Sequence, residues 1–429
     1  MLTFLRQLWR SEDLRKRIIF TVSLLALFRL LAHITVPGVD PEQLKFFLDS
    51  RGGTGGALGV FSALTGGSID NFSILMLGLA PYINASIIIQ LCAVIFPKLE
   101  AMQKEGQSGQ QQLNRYTRWL TVPLALIQSY GFLLLLGQSG VSLLGPDGLS
   151  FPAVLLPMLF VSAGSIFLMW LGELINEKGI GNGSSLIIFV GIITDVPGRI
   201  AALFLGDPET LGVFYIFLLV SLAMLVFIVL FTDAHRLIPI TYANQGAGRG
   251  VQGGLPIRLN QAGMIPIIFS ISLLTFPMIL AQFMQTSDRF QGVVSFINTY
   301  LNPQAPSIWY LIFYFLLTVL FTFFYVSVTF RPTDVAEQIQ KRGGFIPGVR
   351  PGAGTAAVLQ RTSMLLNVWG GIFLGIIAIV PLLFTTYTTL TTADLLISGS
   401  GLIIIVGVVM DLIRQVNAQM LAHDYDKLI

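Results

Sequence analysis

The chain has 429 residues, of which 54% are hydrophobic and only 11% charged, against about a quarter charged in soluble domains. That balance excludes a soluble globular enzyme, and the single cysteine, Cys92, excludes an internal disulfide and a cysteine-based metal site. The formal charge of +3 carries no argument for nucleic-acid binding, because the positive residues follow a different pattern, set out below.

Residues 1–17 are basic and amphipathic, and the apolar run after them lacks a small-residue cleavage site, so it is expected to be a retained helix. Apolar segments then recur at 18–36, 72–96, 119–136, 154–172, 184–204, 211–231, 259–281, 308–329, 364–384 and 395–413. Each has about the 20 residues that a helix needs to cross the hydrocarbon. Continuous runs of this length exclude a β-barrel, whose strands read as about ten-residue alternation. The expected fold is all-α and polytopic, with ten transmembrane helices.

Of the 25 Lys and Arg, 20 fall before the first span, in alternate loops or after the last. Lys and Arg are retained on the cytosolic side, so that side is the cytosol and both termini lie there. Ten spans divide into two halves, 1–204 and 211–429, joined by an outer hinge loop at 205–210. Five spans in each half make the halves enter from opposite sides, as inverted repeats do. A faint echo supports this: Gly78-Leu-Ala-Pro-Tyr-Ile83 in the second span and Gly263-Met-Ile-Pro-Ile-Ile268 in the seventh.

Between spans one and two lies Gly52-Gly-Thr-Gly-Gly, then an apolar stretch from Ala57 to Leu64, then Gly66-Gly67. About eight apolar residues are too few to span a bilayer. Leu58, Val60, Phe61 and Leu64 suit a short helix folded back into an outer cavity on glycine hinges. On the cytosolic side, loops 232–258 and 330–363 are long and basic. Their Gly and Pro residues fix turns in Gly246-Ala-Gly-Arg-Gly250 and Phe345-Ile-Pro-Gly-Val-Arg-Pro-Gly352. Shaped loops of this kind read as docking surfaces.

The span interiors nearly lack the carboxylates and bases that an ion-coupled transporter needs near the midplane. Asp411 stands three residues from Arg414, a spacing at which helix side chains meet. His33, His235 and His423 are far apart, and no HExxH or phosphate-binding Gly-x-x-x-x-Gly-Lys pattern occurs. No catalytic, metal or cofactor site is expected. The spans do hold Asn84, Ser86, Gln90, Gln128, Ser129, Asn260 and Gln261. Amides in hydrocarbon are costly unless paired, so these residues are expected to hold an interface that can also open.

The segments Pro81-Tyr-Ile-Asn-Ala-Ser-Ile-Ile-Ile-Gln90, Lys104-Glu-Gly-Gln-Ser-Gly109, Trp170-Leu-Gly-Glu173, Gly179-Ile-Gly-Asn-Gly183, Asn260-Gln-Ala-Gly-Met-Ile-Pro266 and Phe345–Gly352 carry a resemblance. In their order and spacing the chain resembles the SecY family, central subunits of bacterial Sec protein-translocation channels, over nearly its whole length. The resemblance implies two inverted five-helix halves around a central hourglass pore. It implies a pore ring of Leu79, Ile83, Ile188, Ile268 and Ile404, with Ser184 standing where the family usually has isoleucine. Segment 57–67 corresponds to the plug. The lateral gate lies between spans two and three on one side and seven and eight on the other, with Asn84, Gln128 and Asn260 as its polar residues. Arg350 matches a partner-binding arginine of the family; Arg249 matches one of a basic pair, whose second position is here Gly250. The implied partners are the membrane subunits SecE and SecG, the SecA ATPase, the ribosome, signal peptides, nascent polypeptides and membrane lipids, with no nucleic-acid recognition beyond ribosome docking. The implied location is the cytoplasmic (inner) membrane. The implied function is a passive channel for unfolded secretory chains, with lateral release of transmembrane helices.

Overall fold

A computed structural model describes residues 11–37, 72–137, 151–204, 208–242, 252–284, 290–301, 307–387 and 399–426. Residues 57–67, Arg249 and Gly250 lie outside this set. In chain order the helices are α1 (Glu12–Leu31), α2 (Ala80–Ile95), α3 (Pro97–Lys104), α4 (Gln107–Gly137), α5 (Phe151–Lys178), α6 (Gly183–Phe204) and α7 (Pro208–Asp233). Two strands follow, β1 (His235–Tyr242) and β2 (Gln252–Arg258), then α8 (Ile265–Met284), α9 (Gln291–Tyr300), α10 (Ile308–Thr329) and α11 (Pro332–Lys341). The chain continues through β3 (Gly344–Phe345), α12 (Ala353–Tyr387) and α13 (Gly399–Asp426). Every expected apolar segment overlaps one of these helices. Among the described residues, helices at 154–178, 308–341, 353–383 and 401–420 are long and apolar enough to cross a membrane, and the bent pair α2–α3 is a further candidate span.

The surface fits a bilayer. Ile308, Trp309, Ile312, Phe313, Leu316 and Leu320 form an exposed stripe along α10, and Leu218, Leu219, Leu222, Val226 and Leu230 form another along α7. Large apolar side chains in continuous stripes would be costly in water and are the expected contact with lipid. The main core gathers side chains from α1, α2, α5, α6, α8, α10, α12 and α13.

The second span is not one helix. Residues 74–79 are turns, and α2 begins only at Ala80. Hydropathy cannot see this break, because the turn segment is itself apolar and buried: Phe72, Leu75, Met76, Leu77 and Leu79 all lie in the core. Irregular backbone at membrane depth survives only where protein satisfies it, and here it does. Ile74 N–H donates to the Ile34 carbonyl and Val36 N–H to that of Phe72. Leu75 N–H donates to Ser73 Oγ, and the Ser165 hydroxyl donates to the Gly78 carbonyl at 2.7 Å. Helix α5 presses on the segment so closely that a Cβ on Gly164 would lie 2.0 Å from the Ile74 carbonyl oxygen.

The seventh span breaks in the same way. Residues 261–264 form turns before α8, and Gly263 takes φ 65° where Gly78 takes φ 55°. That left-handed conformation is cheap only for glycine. Each glycine is followed by a helix with proline in its first turn, a position where the missing N–H costs nothing. The echo read in the sequence is therefore an echo of structure.

The helical architecture carries one small sheet among the described residues. The two basic loops fold together into a small antiparallel sheet of order β2-β1-β3. Strand β1 pairs with β2 from His235↔Arg258 to Thr241↔Gln252, and Thr241↔Phe345 joins β3. Ile238 and Ile240, two apart, turn the same face of β1 onto Ile257, Ala336, Ile339, Ile346 and Leu359. This α/β cap, with α11 as its helix, marks one end of the molecule.

Candidate functional site: an apolar cluster, a helix seam and a basic cap

Leu79 is the residue before α2 and Ile83 lies one turn inside it, with Ile83 N–H donating to the Leu79 carbonyl at 2.9 Å. Ile188 comes from α6, Ile268 from α8 and Ile404 from α13. All five belong to the same apolar cluster, and Ile404 is 0% exposed and Leu79 4%. The resemblance named five residues spread over 326 positions of sequence: Leu79, Ile188 and Ile404 are buried in this cluster, and Ile83 and Ile268 pack against it. Aliphatic walls offer no charge or hydrogen bond to hold a passing chain, and a dewetted constriction resists ions.

The structure adds Met264 to this set. It stands before α8 as Leu79 stands before α2, and its carbonyl accepts from Ile267 N–H. Met264 is buried in the same cluster, with its sulfur against Gly407 of α13. Superposing the two Gly-x-x-Pro segments would have pointed to it. Ser184, where an apolar residue was expected, is half-buried in the first turn of α6, beside Gly172 of α5. Towards the capped end, Arg118 of α4 and Glu173 of α5 form an ion pair at 2.6 Å.

The seam between α2 and the pair α8–α10 has an apolar core. Ile87 of α2, Phe269 of α8 and Phe321 of α10 form its core, with the two rings edge-on at 5.7 Å. The amides are mostly satisfied close to home. Asn260 Oδ1 accepts from Gly263 N–H at 2.9 Å, building the turn before α8. Gln90 donates to Ser86 within α2, Gln261 Oε1 accepts from Ser363 of α12, and Asn84 is half-buried on α2. Short side chains in turns and on helices bond locally more cheaply than across an interface. Gln128 is 4% exposed on α4, and its amide nitrogen, like that of Gln261, finds no acceptor among the described residues.

Where α2, α4, α10 and α11 diverge at the capped end, a cavity of about 500 Å³ opens, lined by Ser86, Gln90, Asn114, Tyr325, Arg331 and Asp334 among others. Beside it, Lys104 holds the Glu100 carboxyl below the usual carboxylate range, chiefly by its hydrogen bond and then by its charge. The cap presents Arg350, Arg236, Arg342 and Arg361 to solvent. Arg350 sits in a fixed turn: its carbonyl accepts from Thr355 N–H, while Gly348 and Gly352 take φ 79° and 85°. The cap is tied to the helices by Arg258–Asp411 at 4.0 Å, and α13 to α7 by Arg414–Asp233 at 3.4 Å. Asp411 and Arg414 also meet, at 3.7 Å, as their spacing implied.

The SecY family model matches residues 73–413 of this chain. The chain belongs to the SecY family. Among curated relatives, the protein translocase subunit SecY of Corynebacterium glutamicum is 37% identical, and that of Streptomyces coelicolor 36% identical, with 99% of each chain covered in both cases. Among solved structures, one titled as a protein conducting channel shares the fold at TM-score 0.66 and 18% identity, covering 94% of this chain and 92% of that one. Sec61 in the canine ribosome-channel complex matches at TM-score 0.64 and 19% identity with the same coverage. SecY-family membership thus rests on sequence alone, and the fold agrees with it.

Proposed function

We propose that this chain is the protein-conducting subunit of a Sec-type translocase in the cytoplasmic (inner) membrane, with its cap and both termini in the cytosol. Unfolded secretory polypeptides pass through the waist, and apolar segments leave sideways between α2–α4 and α8–α10. One observation carries the reading: aliphatic side chains from α2, α6, α8 and α13, drawn from both halves, converge in one cluster. A secondary transporter would place ion-coordinating groups there.

Asn84, Gln128 and Asn260 are assigned to the lateral gate on the resemblance. Gln128 is buried with an unmet donor, a state that costs about 1–3 kcal/mol. Opening the seam relieves that cost, so Gln128 favours the open form and the Ile87–Phe269–Phe321 seam favours the closed one. Segment 57–67, with Leu58, Val60, Phe61 and Leu64, is assigned the role of plug on the resemblance. The cap is the landing face for the SecA motor or the ribosome, with Arg350 and Arg249 as contacts, and SecE and SecG are its membrane partners. The sequence carries no phosphate-binding loop, so the energy comes from those partners.

Single cysteines at Ile83 or Ile268, in a Cys92→Ser background, test the pore. A secretory chain stalled in transit crosslinks there. Crosslinks confined to the lipid-facing Leu316 would overturn the assignment.

A further inference from the structure

Helix α9 sits at the end of the molecule opposite the cap. Strand β2 leads into α8 and α10 leads into α11, so each of these long helices has one end nearer the cap. Helix α9 joins their other ends, about 30 Å from the start of α8 at 1.5 Å per residue for its 20 residues. Its ten residues, Gln-Gly-Val-Val-Ser-Phe-Ile-Asn-Thr-Tyr, include no charge.

Three surfaces run along this short helix. Val294 and Ile297 are buried against Ala281, Met278, Met284 and Leu301. Gln291, Ser295, Asn298 and Thr299 form a polar flank. The remaining flank is apolar, with Val293, Phe296 and Tyr300 spaced three and four apart, a spacing that aligns them on one side. Phe296 is 57% exposed, although Tyr300 packs on it at 4.8 Å between ring centroids. Packing within the chain accounts for the first surface and solvent for the second. Neither accounts for the third.

The neighbouring chain says what meets it. Ser307, the cap of α10, donates its hydroxyl to the Tyr300 carbonyl at 3.3 Å. The apolar flank of α9 therefore ends beside Ile308 and Trp309, where the exposed stripe of α10 begins. Tyr and Trp gather at membrane–water boundaries, where a ring can be apolar at one end and wet at the other. A short helix with one apolar and one polar flank lies along that boundary rather than across it.

We propose that α9 is an interfacial anchor, lying in the headgroup–acyl boundary of the leaflet opposite the cap. Val293, Phe296 and the Tyr300 ring enter the acyl region, and the Gln291–Ser295–Asn298–Thr299 flank faces water. The partner is the lipid surface itself. That this leaflet is the outer one rests on the proposed function; the lipid contact does not. Because α9 is packed on α8, the anchor fixes the far end of one side of the seam.

Spin labels on the full chain, purified with whatever membrane subunits accompany it, test this. The chain is reconstituted in vesicles of phosphatidylethanolamine and phosphatidylglycerol in a Cys92→Ser background. Labels go on Phe296→Cys, on Asn298→Cys and, as a lipid-facing reference, on Leu316→Cys. The label at 296 is expected to be reached by oxygen several-fold more readily than by a water-soluble nickel chelate, as at 316, with the order reversed at 298. Access of the chelate to 296 equal to that at 298 would place α9 in water and overturn the proposal. Shielding of 296 from both reagents would mean that a protein partner covers the flank, which overturns it equally. Both outcomes leave the crosslinking test of the pore untouched, so the two readings fail separately.

Discussion

Replacing Ile404 by serine tests whether the apolar cluster is a closed constriction or an ordinary core. Ile404 of α13 is fully buried in the apolar cluster proposed as the waist, so in the closed state all of its side chain is removed from water. Ile404→Ser deletes three carbons, worth roughly 0.8 kcal/mol each when buried, or about 2.4 kcal/mol in all. If the ring parts when the channel opens, that sum comes off the closed state alone, and the open fraction rises up to about sixtyfold at RT of about 0.59 kcal/mol. Ile404→Val deletes one carbon and raises it about fourfold. The assay is resting single-channel activity in planar bilayers, with the wild type, Val and Ser forms compared at equal insertion. The expected series is graded, Ser above Val above wild type. Loss of thermal stability in that order with unchanged resting conductance would refute the reasoning, because Ile404 would then be core and nothing more.

Deleting residues 57–67 is expected to raise resting ion leakage in the same bilayers, and an unchanged leak would remove the plug assignment. Arg350→Glu is expected to impair SecA-driven transport into vesicles while the chain itself still inserts; normal transport would free the cap turn from docking. Gln128→Leu removes the unmet donor from the closed state, so opening should fall by about fivefold or more, for a cost of about 1–3 kcal/mol relieved, and a rise would reverse its role. Gly164→Ala drives a Cβ to 2.0 Å from the Ile74 carbonyl oxygen. It should lower thermal stability by about 1–3 kcal/mol or more; a neutral result would show that the turn segment can retreat.

How much of this was legible depended on what each signal measures. Apolar run length found the helices, because about 20 buried or lipid-facing residues must be apolar whatever they pack on. It missed the breaks before Ala80 and Ile265, since Leu75, Met76 and Leu77 are as apolar in a turn as in a helix. Gly78 and Gly263 were the visible clue, and their left-handed φ values explain why they are glycines. The cap was missed as a folded unit. Basic charge and turn residues marked its loops, yet Ile238 and Ile240 alternate with Leu237 and Pro239 in a strand pattern that charge counting passes over. The proposed waist could not come from local pattern at all, because Leu79 and Ile404 share one apolar cluster only through the whole topology. It came from the resemblance. Met264 escaped both routes until the two broken spans were compared as structures.

The two broken spans also have an electrical consequence. Helix α2 runs from the waist towards the cap, since its continuation α3 and the start of α4 border the cavity beside α11, whereas α8 runs away from the cap. Both nevertheless begin in the apolar cluster, next to Leu79 and Met264. A helix carries about half a positive charge at its beginning, so two positive ends fall within one apolar cluster. A small cation entering that cluster would lose its water and meet repulsion from both. On the proposed reading of the cluster as the waist, the two helix ends would make it a barrier to small cations in its own right, and a membrane carrying the channel could keep its ion gradients while a neutral stretch of polypeptide fills the opening.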